Sequence, residues 1–175
     1  YSAATRLSHN KDGGILKYSV LMVCTGNICR SPMAEGLLAH MLPDSLKPLV
    51  SVRSAGTQGL HGNMAEPHAI EAASAYGADI SEHRARILDT AMVKSANLVL
   101  AMERYHLDQI NRLRLFFKCK HASLLGLFDP ERQTPEIEDP YGDPLGAYQA
   151  CASEIAACMP GLIDHIQAQM ASKSS

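Results

Sequence analysis

A cysteine and an arginine, separated by five residues, stand between a short apolar run and a helix-forming stretch. The apolar run covers residues 18–23, and the segment that follows reads Cys24-Thr25-Gly26-Asn27-Ile28-Cys29-Arg30-Ser31-Pro32. A strand that ends in a tight loop and runs into a helix directs successive backbone N–H groups, and the positive end of the helix dipole, at one point. The pattern therefore predicts a cradle for a doubly charged anion such as phosphate.

The two ends of this segment have complementary chemistry. A thiolate at Cys24 is stabilised by the same N–H groups and by a guanidinium, so we expect a nucleophile at neutral pH. Arg30 offers a planar fork that matches two phosphate oxygens, which the point charge of a lysine cannot do. The alternative is a core thiol or half-cystine before an ordinary helix start. The combination of strand, glycine, arginine and helix cap favours the nucleophile.

The residues between and beside these two each suit such a loop. Gly26 allows close approach of the backbone to a ligand, and Asn27 tolerates the left-handed conformation. Ser31 is placed to act as N-cap, with Pro32 at the first helical position. The predicted phosphate-binding loop therefore consists of Thr25, Gly26, Asn27, Ile28, Cys29 and Ser31.

Length, charge and cysteine content limit the class of protein. The 175 residues carry 16 basic and 18 acidic side chains, a formal net charge of −2, which predicts no general affinity for nucleic acid. No apolar stretch approaches about 18 residues, so membrane insertion is not expected, and the first 17 residues lack the apolar core of a signal peptide. Five cysteines, an odd number without CxxC pairs, indicate reduced thiols. A cytoplasmic location is the prediction.

The chain alternates strand-like and helix-like segments. Residues 1–17 are interpreted as a flexible N-terminal extension, residues 18–170 as a single domain, and residues 171–175 as a polar tail. Strands separated by helices imply a parallel sheet covered on both faces, with ligands bound at the carboxyl ends of the strands. Gly77 is expected to end the second helix, and Pro160 to kink or break the last one.

A second candidate for chemistry lies in the acidic, turn-rich segment 136–144. Cleavage of a phosphate ester by a thiolate requires a proton for the departing oxygen, which a carboxylic acid on a loop can supply. We choose Asp139 because Pro140 stiffens the chain after it and Tyr141 could stack beside a substrate ring. Spacing alone does not separate Asp139 from Glu138. Without the cysteine loop, a solvated acidic turn would be the preferred interpretation.

Over about residues 18–169 the chain resembles the low-molecular-weight protein tyrosine phosphatases. The resemblance implies an α/β three-layer sandwich, with a central four-stranded parallel sheet flanked by helices, and an enzyme without metal or organic cofactor. It rests on motifs in a fixed order, namely residues 23–35, Ser54-Ala55-Gly56-Thr57, His83 with Ala85 and Arg86, Leu100-Ala101-Met102-Glu103, and Asp139-Pro140-Tyr141.

The same resemblance implies roles for individual residues. Cys24 is the nucleophile that forms a cysteinyl-phosphate, Arg30 binds the phosphate of a phosphotyrosine protein substrate, and Asp139 acts as acid and then as base. A hydrogen-bond network that supports the loop is expected from Asn27, Ser31, Ser54 and His83, with Ser31 near the Cys24 sulfur.

Cys29 is implied as a reversible disulfide partner of Cys24 under peroxide. Such a bridge would protect Cys24 from irreversible oxidation. From the sequence alone, an equally good interpretation is a small residue that packs under the loop.

The pocket rim is expected to include Leu60, His61 and Tyr141. The stretch 54–67 is more similar to bacterial members, which act on tyrosine autokinases of polysaccharide export, so such a kinase is the predicted partner. The alternative for His61 is an exposed loop histidine without function.

Two rival functions and one rival site fit the sequence less well. A thiol-dependent arsenate reductase on the same scaffold needs two further redox cysteines beyond the third strand, and residues 102–109 contain none. A phosphotyrosine-binding module without turnover is disfavoured because Cys24, Arg30 and Asp139 are all present. No metal site is predicted, since the eight histidines lack the close spacing of a zinc site.

Overall fold

The computed structural model describes residues 17–115 and 121–172. Residues 1–16 of the predicted extension and residues 173–175 of the predicted tail lie outside the described part of the chain. The elements are β1 (Tyr18–Cys24), α1 (Arg30–Met41), β2 (Val50–Gly56), α2 (Pro67–Ser74), α3 (Thr90–Ser95), β3 (Leu98–Ala101), α4 (Arg104–Arg114), β4 (Ala122–Leu124), a 3-10 turn (Leu125–Phe128) and α5 (Leu145–Ser172).

The four strands form one parallel sheet in the order β2-β1-β3-β4. The central strand β1 is almost entirely buried, as expected for a strand covered on both faces. The chain leaves β1 toward β2 on one side and later returns to β3 on the other. The carboxyl ends of β1 and β3 therefore flank the point at which the strand order reverses, where parallel sheets of this type bind ligands. Cys24 is the last residue of β1.

Two apolar cores lie on opposite faces of the sheet. The larger core joins one face of β1 to helices α1, α2 and α5, and Met22, Leu37 and Leu162 in it have no exposed surface. The smaller core packs α3 and α4 against the other face, around Val99 and Ile110. Helices on both sides of the sheet give three layers, which confirms the predicted fold class.

The sequence predicts a kink or a break in the last helix at Pro160. The break does not occur, because α5 is helical without interruption from Leu145 to Ser172. A proline inside a helix costs roughly 3 kcal/mol, but the fully buried Met159 and Leu162 on either side of it each contribute about 1.5–3 kcal/mol by burial. The continuous helix is therefore favoured by its packing. The first two residues of the predicted tail also belong to α5.

A second difference concerns the start of α1. Helix α1 begins at Arg30, its N-cap position is Cys29, and no side chain caps it. Ser31 is therefore inside the first turn rather than at the cap, and its hydroxyl is available for another partner. By contrast, Gly77 has φ +81°, as its predicted place after the end of α2 requires.

Among residues 17–115 and 121–172, no helix combines the length and apolar character that crossing a bilayer requires.

Candidate active site

The loop between β1 and α1 is folded around a left-handed residue. Asn27 has φ +59° and is the one residue other than glycine with positive φ in the described chain, as its sequence position predicted. Its backbone N–H lies 3.3 Å from the sulfur of Cys24 and donates to it. Cys24 itself is 2% exposed. The loop therefore places the thiol at the bottom of a turn of backbone.

The side chain of Asn27 fixes the direction of the hydrogen bonds around the sulfur. Its Nδ2 donates to Ser31 Oγ at 2.8 Å and to Ser54 Oγ at 2.9 Å. Ser54 then donates to Glu35, and Ser31 Oγ lies 2.9 Å from Cys24 Sγ. Because Ser31 already accepts from Asn27, its own hydrogen is free for the sulfur. The Asn27 N–H and the Ser31 hydroxyl are therefore both directed at the sulfur of Cys24.

Two further contacts hold Asn27 from outside the loop. Its Oδ1 accepts from the backbone N–H of Arg86 at 2.8 Å, which also determines which end of the amide is oxygen. His83 Nε2 donates to the carbonyl oxygen of Asn27 at 2.8 Å. The structure thus brings together Asn27, Ser31, Ser54 and His83, the four residues that the sequence grouped as loop support.

Arg30 is held rigidly although it carries a buried charge. Its Nη1 donates to Glu103 at 2.5 Å and to the Ile137 carbonyl oxygen at 3.0 Å, and its Nη2 donates to Asp139 at 2.8 Å. Burial works to lower the guanidinium pKa, but the hydrogen bond to Glu103 and the charges of Asp139 and Cys24 outweigh it and raise the pKa. The Nε of Arg30 is buried without a partner. Three of the five N–H donors of the guanidinium are thus used, and the Nε–H is one of the two that remain for a ligand.

Asp139 and Cys24 line the same cavity. Its volume is about 210 Å³, and Tyr141, which is 61% exposed, stands at its mouth. Four of the six predicted loop residues and the two predicted rim residues Leu60 and Tyr141 are part of its wall, whereas Asn27 and Ser31 are not. His61 is exposed and does not line the cavity. The lining residues are Cys24, Thr25, Gly26, Ile28, Cys29, Gln58, Leu60, Asp139 and Tyr141.

Cys29 is placed beneath the loop and faces α5. Its thiol donates to the hydroxyl of Tyr148 at 3.7 Å. Burial raises the pKa of Cys29 to about 12, and the nearby charges of Asp139 and Cys24 act in the same direction, although the Tyr148 hydrogen bond opposes them. Cys29 is therefore a neutral thiol at pH 7.

Several residues of the site were not assigned a role from the sequence. Glu35 and Glu103 belong to motifs quoted above, but their partners Ser54 and Arg30 lie far away along the chain. His106 contacts the loop at Thr25. The one local signal was the pair Glu103 and His106, three residues apart at the start of α4, which form a reciprocal helix cap.

In the described part of the chain, no group of three or more histidine, cysteine, aspartate or glutamate side chains is arranged to hold a metal ion.

The family model for low molecular weight phosphotyrosine protein phosphatases matches residues 19–172. The chain belongs to this family. It is accordingly an enzyme of the protein-tyrosine phosphatase class, a phosphoric monoester hydrolase.

Two curated relatives of this phosphatase are bacterial proteins. "Probable low molecular weight protein-tyrosine-phosphatase EpsP" of Ralstonia nicotianae is 37% identical over 150 residues, which cover 86% of this chain and 97% of the relative. The low molecular weight protein-tyrosine-phosphatase Etp of Escherichia coli is 37% identical over 131 residues, 75% of this chain and 82% of the relative.

Among solved structures, the YwlE arginine phosphatase from Geobacillus stearothermophilus is similar to this phosphatase with a TM-score of 0.75 and 33% sequence identity. The match covers 89% of this chain and 96% of that one. The fold is therefore shared with a phosphatase that is named for another phosphorylated residue.

Proposed function

We propose that this phosphatase hydrolyses phosphotyrosine in proteins through a cysteinyl-phosphate at Cys24, with Arg30 as phosphate ligand and Asp139 as general acid and base. The observation that carries the proposal is the meeting of these three residues. Cys24 and Asp139 line one cavity, and Arg30 bonds to Asp139 while its Nε is left without a partner.

In the first step the Cys24 thiolate attacks phosphorus and the bond from phosphorus to the phenolic oxygen breaks. Backbone N–H groups of the loop and the Arg30 guanidinium meet the charge on the three equatorial oxygens, as preorganised donors do in phosphoryl transfer. The proton of Asp139 goes to the departing oxygen. The products of this step are a free tyrosine side chain and a phosphorylated Cys24.

In the second step water attacks the phosphorus atom and the bond to sulfur breaks. Asp139, now a carboxylate, takes a proton from the water, and the hydroxyl of Ser31 stabilises the departing thiolate at its distance of 2.9 Å. Inorganic phosphate leaves. The enzyme returns to its starting state with water as the one co-reactant consumed.

The ion pair of Asp139 with Arg30 suggests how the acid is prepared. A bound phosphate dianion competes for the guanidinium and brings a second negative charge close to the carboxylate. A like charge nearby favours the protonated form of a carboxyl group. Substrate binding thus favours the state of Asp139 that can donate a proton.

The cavity wall favours an aryl substrate over phosphoarginine, the substrate class suggested by the name of the arginine phosphatase. Ile28 and Leu60 present apolar side chains to the cavity, and Tyr141 offers a ring at its mouth. Asp139 is the single carboxylate of the described residues in the wall, and it is already paired with Arg30. A guanidinium leaving group would find few acceptors there, whereas a phenyl ring would be well packed.

The predicted partner is a bacterial tyrosine autokinase of polysaccharide export. This proposal is supported by the resemblance of stretch 54–67 to bacterial members. A cytoplasmic location is proposed with it, and the four described cysteines, which are all free, are consistent with a reducing compartment.

The test compares two phosphopeptides of matched sequence, one with phosphotyrosine and one with phosphoarginine. We expect release of inorganic phosphate from the phosphotyrosine peptide, and loss of that release in Cys24→Ser. Preference for the phosphoarginine peptide would contradict the proposed substrate.

A further inference from the structure

His106, in the first turn of α4, contacts the phosphate-binding loop from behind. The side chain has no exposed surface. Its Nε2 lies 2.8 Å from Thr25 Oγ1, and its Nδ1 accepts from the backbone N–H of Glu103 at 3.1 Å. A buried imidazole thus joins the cap of α4 to the residue that follows the nucleophile.

These contacts determine the tautomer of the ring. A backbone N–H can only donate, so Nδ1 of His106 must be the acceptor and the proton of the neutral ring is on Nε2. Burial, followed by the positive charge of Arg30, lowers the pKa of His106 to about 4. The ring is therefore neutral at pH 7. It follows that Nε2–H donates and the oxygen of Thr25 accepts.

Because Thr25 Oγ1 accepts from His106, the hydrogen of the Thr25 hydroxyl needs another acceptor. Thr25 lines the cavity beside Cys24 and Asp139. In residues 17–115 and 121–172 its hydroxyl has no second protein partner. An anion in the cavity would supply the missing acceptor.

We propose that His106 is a positioning residue that turns the Thr25 hydroxyl into a hydrogen-bond donor for an oxygen of the phosphate group held by the loop. The effect on turnover rests on the proposed function, whereas the effect on anion binding does not. Thr25 then adds one side-chain donor to those of the loop backbone and Arg30.

The first turn of α4 reaches both ends of the loop. The carboxylate of Glu103 accepts the backbone N–H of His106 and also holds Arg30. Through His106 the same turn holds Thr25. The reciprocal cap formed by Glu103 and His106 therefore positions two of the proposed anion ligands, Arg30 and Thr25. Because each ligand contacts a different side chain of the cap, a substitution of His106 can be tested separately from a substitution of Glu103.

The chain offers a selective variant for the test. In His106→Asn the amide oxygen takes the place of Nδ1 and keeps the bond from Glu103, but no group reaches Thr25. Thr25→Val removes the hydroxyl and leaves His106 in place, and Thr25→Ser keeps a hydroxyl there. The exposed His121 gives a matched control in His121→Asn.

The measurements are the affinity for inorganic phosphate by calorimetry and kcat/KM for an aryl phosphate. We expect His106→Asn and Thr25→Val each to weaken phosphate binding and lower kcat/KM about tenfold, the effect of one hydrogen bond to a charged group. Thr25→Ser should lose less phosphate affinity and less kcat/KM than Thr25→Val, and His121→Asn should match the wild type in both. The double variant of His106→Asn with Thr25→Val should have the same affinity and kcat/KM as Thr25→Val alone, because His106 acts through Thr25.

Nitrogen NMR gives an independent signature, since His106 should show a proton on Nε2 and none on Nδ1 at pH 7. The inference would be overturned if the two single losses multiplied in the double variant, or if His106→Asn had the phosphate affinity and kcat/KM of the wild type. A proton on Nδ1 instead of Nε2 of His106 would also overturn it. A wild-type protein that binds phosphate with this pattern but hydrolyses no aryl phosphate would contradict the proposed function alone.

Discussion

The guanidinium Nη2 of Arg30 lies 2.8 Å from the carboxylate Oδ2 of Asp139. The two residues are 109 positions apart in the chain, and the carboxylate side chain is 41% exposed while that of Arg30 is 1% exposed. The proposed anion ligand and the proposed acid are thus paired directly at the cavity. Removing one of the two charges should affect catalysis and anion binding in different ways.

Asp139→Asn should lower kcat by roughly 10²–10⁴-fold, the usual contribution of positioned acid–base catalysis. The affinity for inorganic phosphate should not fall, because Arg30 is released from a competing carboxylate. Stopped assays with an aryl phosphate and calorimetry with phosphate measure the two effects. The exposed Asp143 in the same segment gives the control Asp143→Asn, which should retain wild-type turnover. An unchanged rate in Asp139→Asn would transfer the acid role elsewhere.

Asn27→Ala should destabilise the protein by at least ~3 kcal/mol. The variant leaves buried partners without their hydrogen bonds, at about 1–3 kcal/mol for each unsatisfied group, and places alanine at positive φ for a further ~1–2 kcal/mol. Asn27→Gly removes only the second cost and should recover about 1 kcal/mol. Urea unfolding measures both. The exposed Asn63 provides the control Asn63→Ala, and equal stability of all three variants would contradict the structural role of Asn27.

Much of the fold and part of the site follow from local sequence. The apolar run before Cys24, the left-handed Asn27 and the break at Gly77 depend on a few neighbouring residues, so the sequence predicts them. Alternation of strands and helices is sufficient to predict a parallel sheet with its ligand site at the carboxyl ends.

The missed contacts depend on strand order, which the local pattern does not contain. The order β2-β1-β3 places Ser54 of β2 and Glu103, which follows β3, on opposite sides of β1. Ser54 there meets Glu35, and Glu103 meets Arg30. The Ser31 hydroxyl suits a helix cap by local rules, but in the folded chain the amide of Asn27 directs it to the sulfur. Tertiary contacts therefore decided the details that local sequence left open.

Lowering the pH should reduce the stability of the wild-type protein more than it reduces the stability of the His106→Asn variant. The folded-state pKa of His106 is about 4, below the value of about 6.5 of an unfolded histidine. The unfolded chain therefore binds the extra proton, and stability present above pH 6.5 is lost as the pH falls toward 4. The shift corresponds to roughly 3 kcal/mol.

Four charged groups act on His106, namely Arg30, Glu103, Asp139 and Glu136. Urea unfolding of the wild type and of His106→Asn at pH 6.5, 5.5 and 4.5 separates the effect of these groups from that of His106, because both proteins contain the groups. We expect the stability difference between the proteins to change steadily with pH. If the free energy of unfolding changed with pH in the same way in both proteins, the fold would not be holding the His106 ring neutral.

Peroxide should inactivate the wild-type enzyme reversibly if Cys29 is a disulfide partner of Cys24. The sulfenic acid formed at Cys24 would condense with the neutral thiol of Cys29 and release water. Reduction with dithiothreitol should then restore activity in the wild type but not in Cys29→Ser. Peptide mapping should find the bridge between residues 24 and 29.

Cys151 gives the matched control for this experiment. It is also buried, and burial raises the pKa of its thiol to about 12, but it does not line the cavity. Cys151→Ser should recover activity on reduction as fully as the wild type. Full recovery in Cys29→Ser, or a bridge from Cys24 to Cys151, would show that Cys29 only packs under the loop.

Trapping of the covalent intermediate tests the account most directly. Wild-type enzyme is mixed with a phosphotyrosine peptide, quenched in acid within one turnover, digested and mapped by mass spectrometry. The proposed mechanism predicts a phosphoryl group on the sulfur of Cys24 and none on residue 24 of Cys24→Ala mixed in the same way. Rapid turnover without a phosphorylated Cys24, or hydrolysis that persists in Cys24→Ala, would contradict the mechanism.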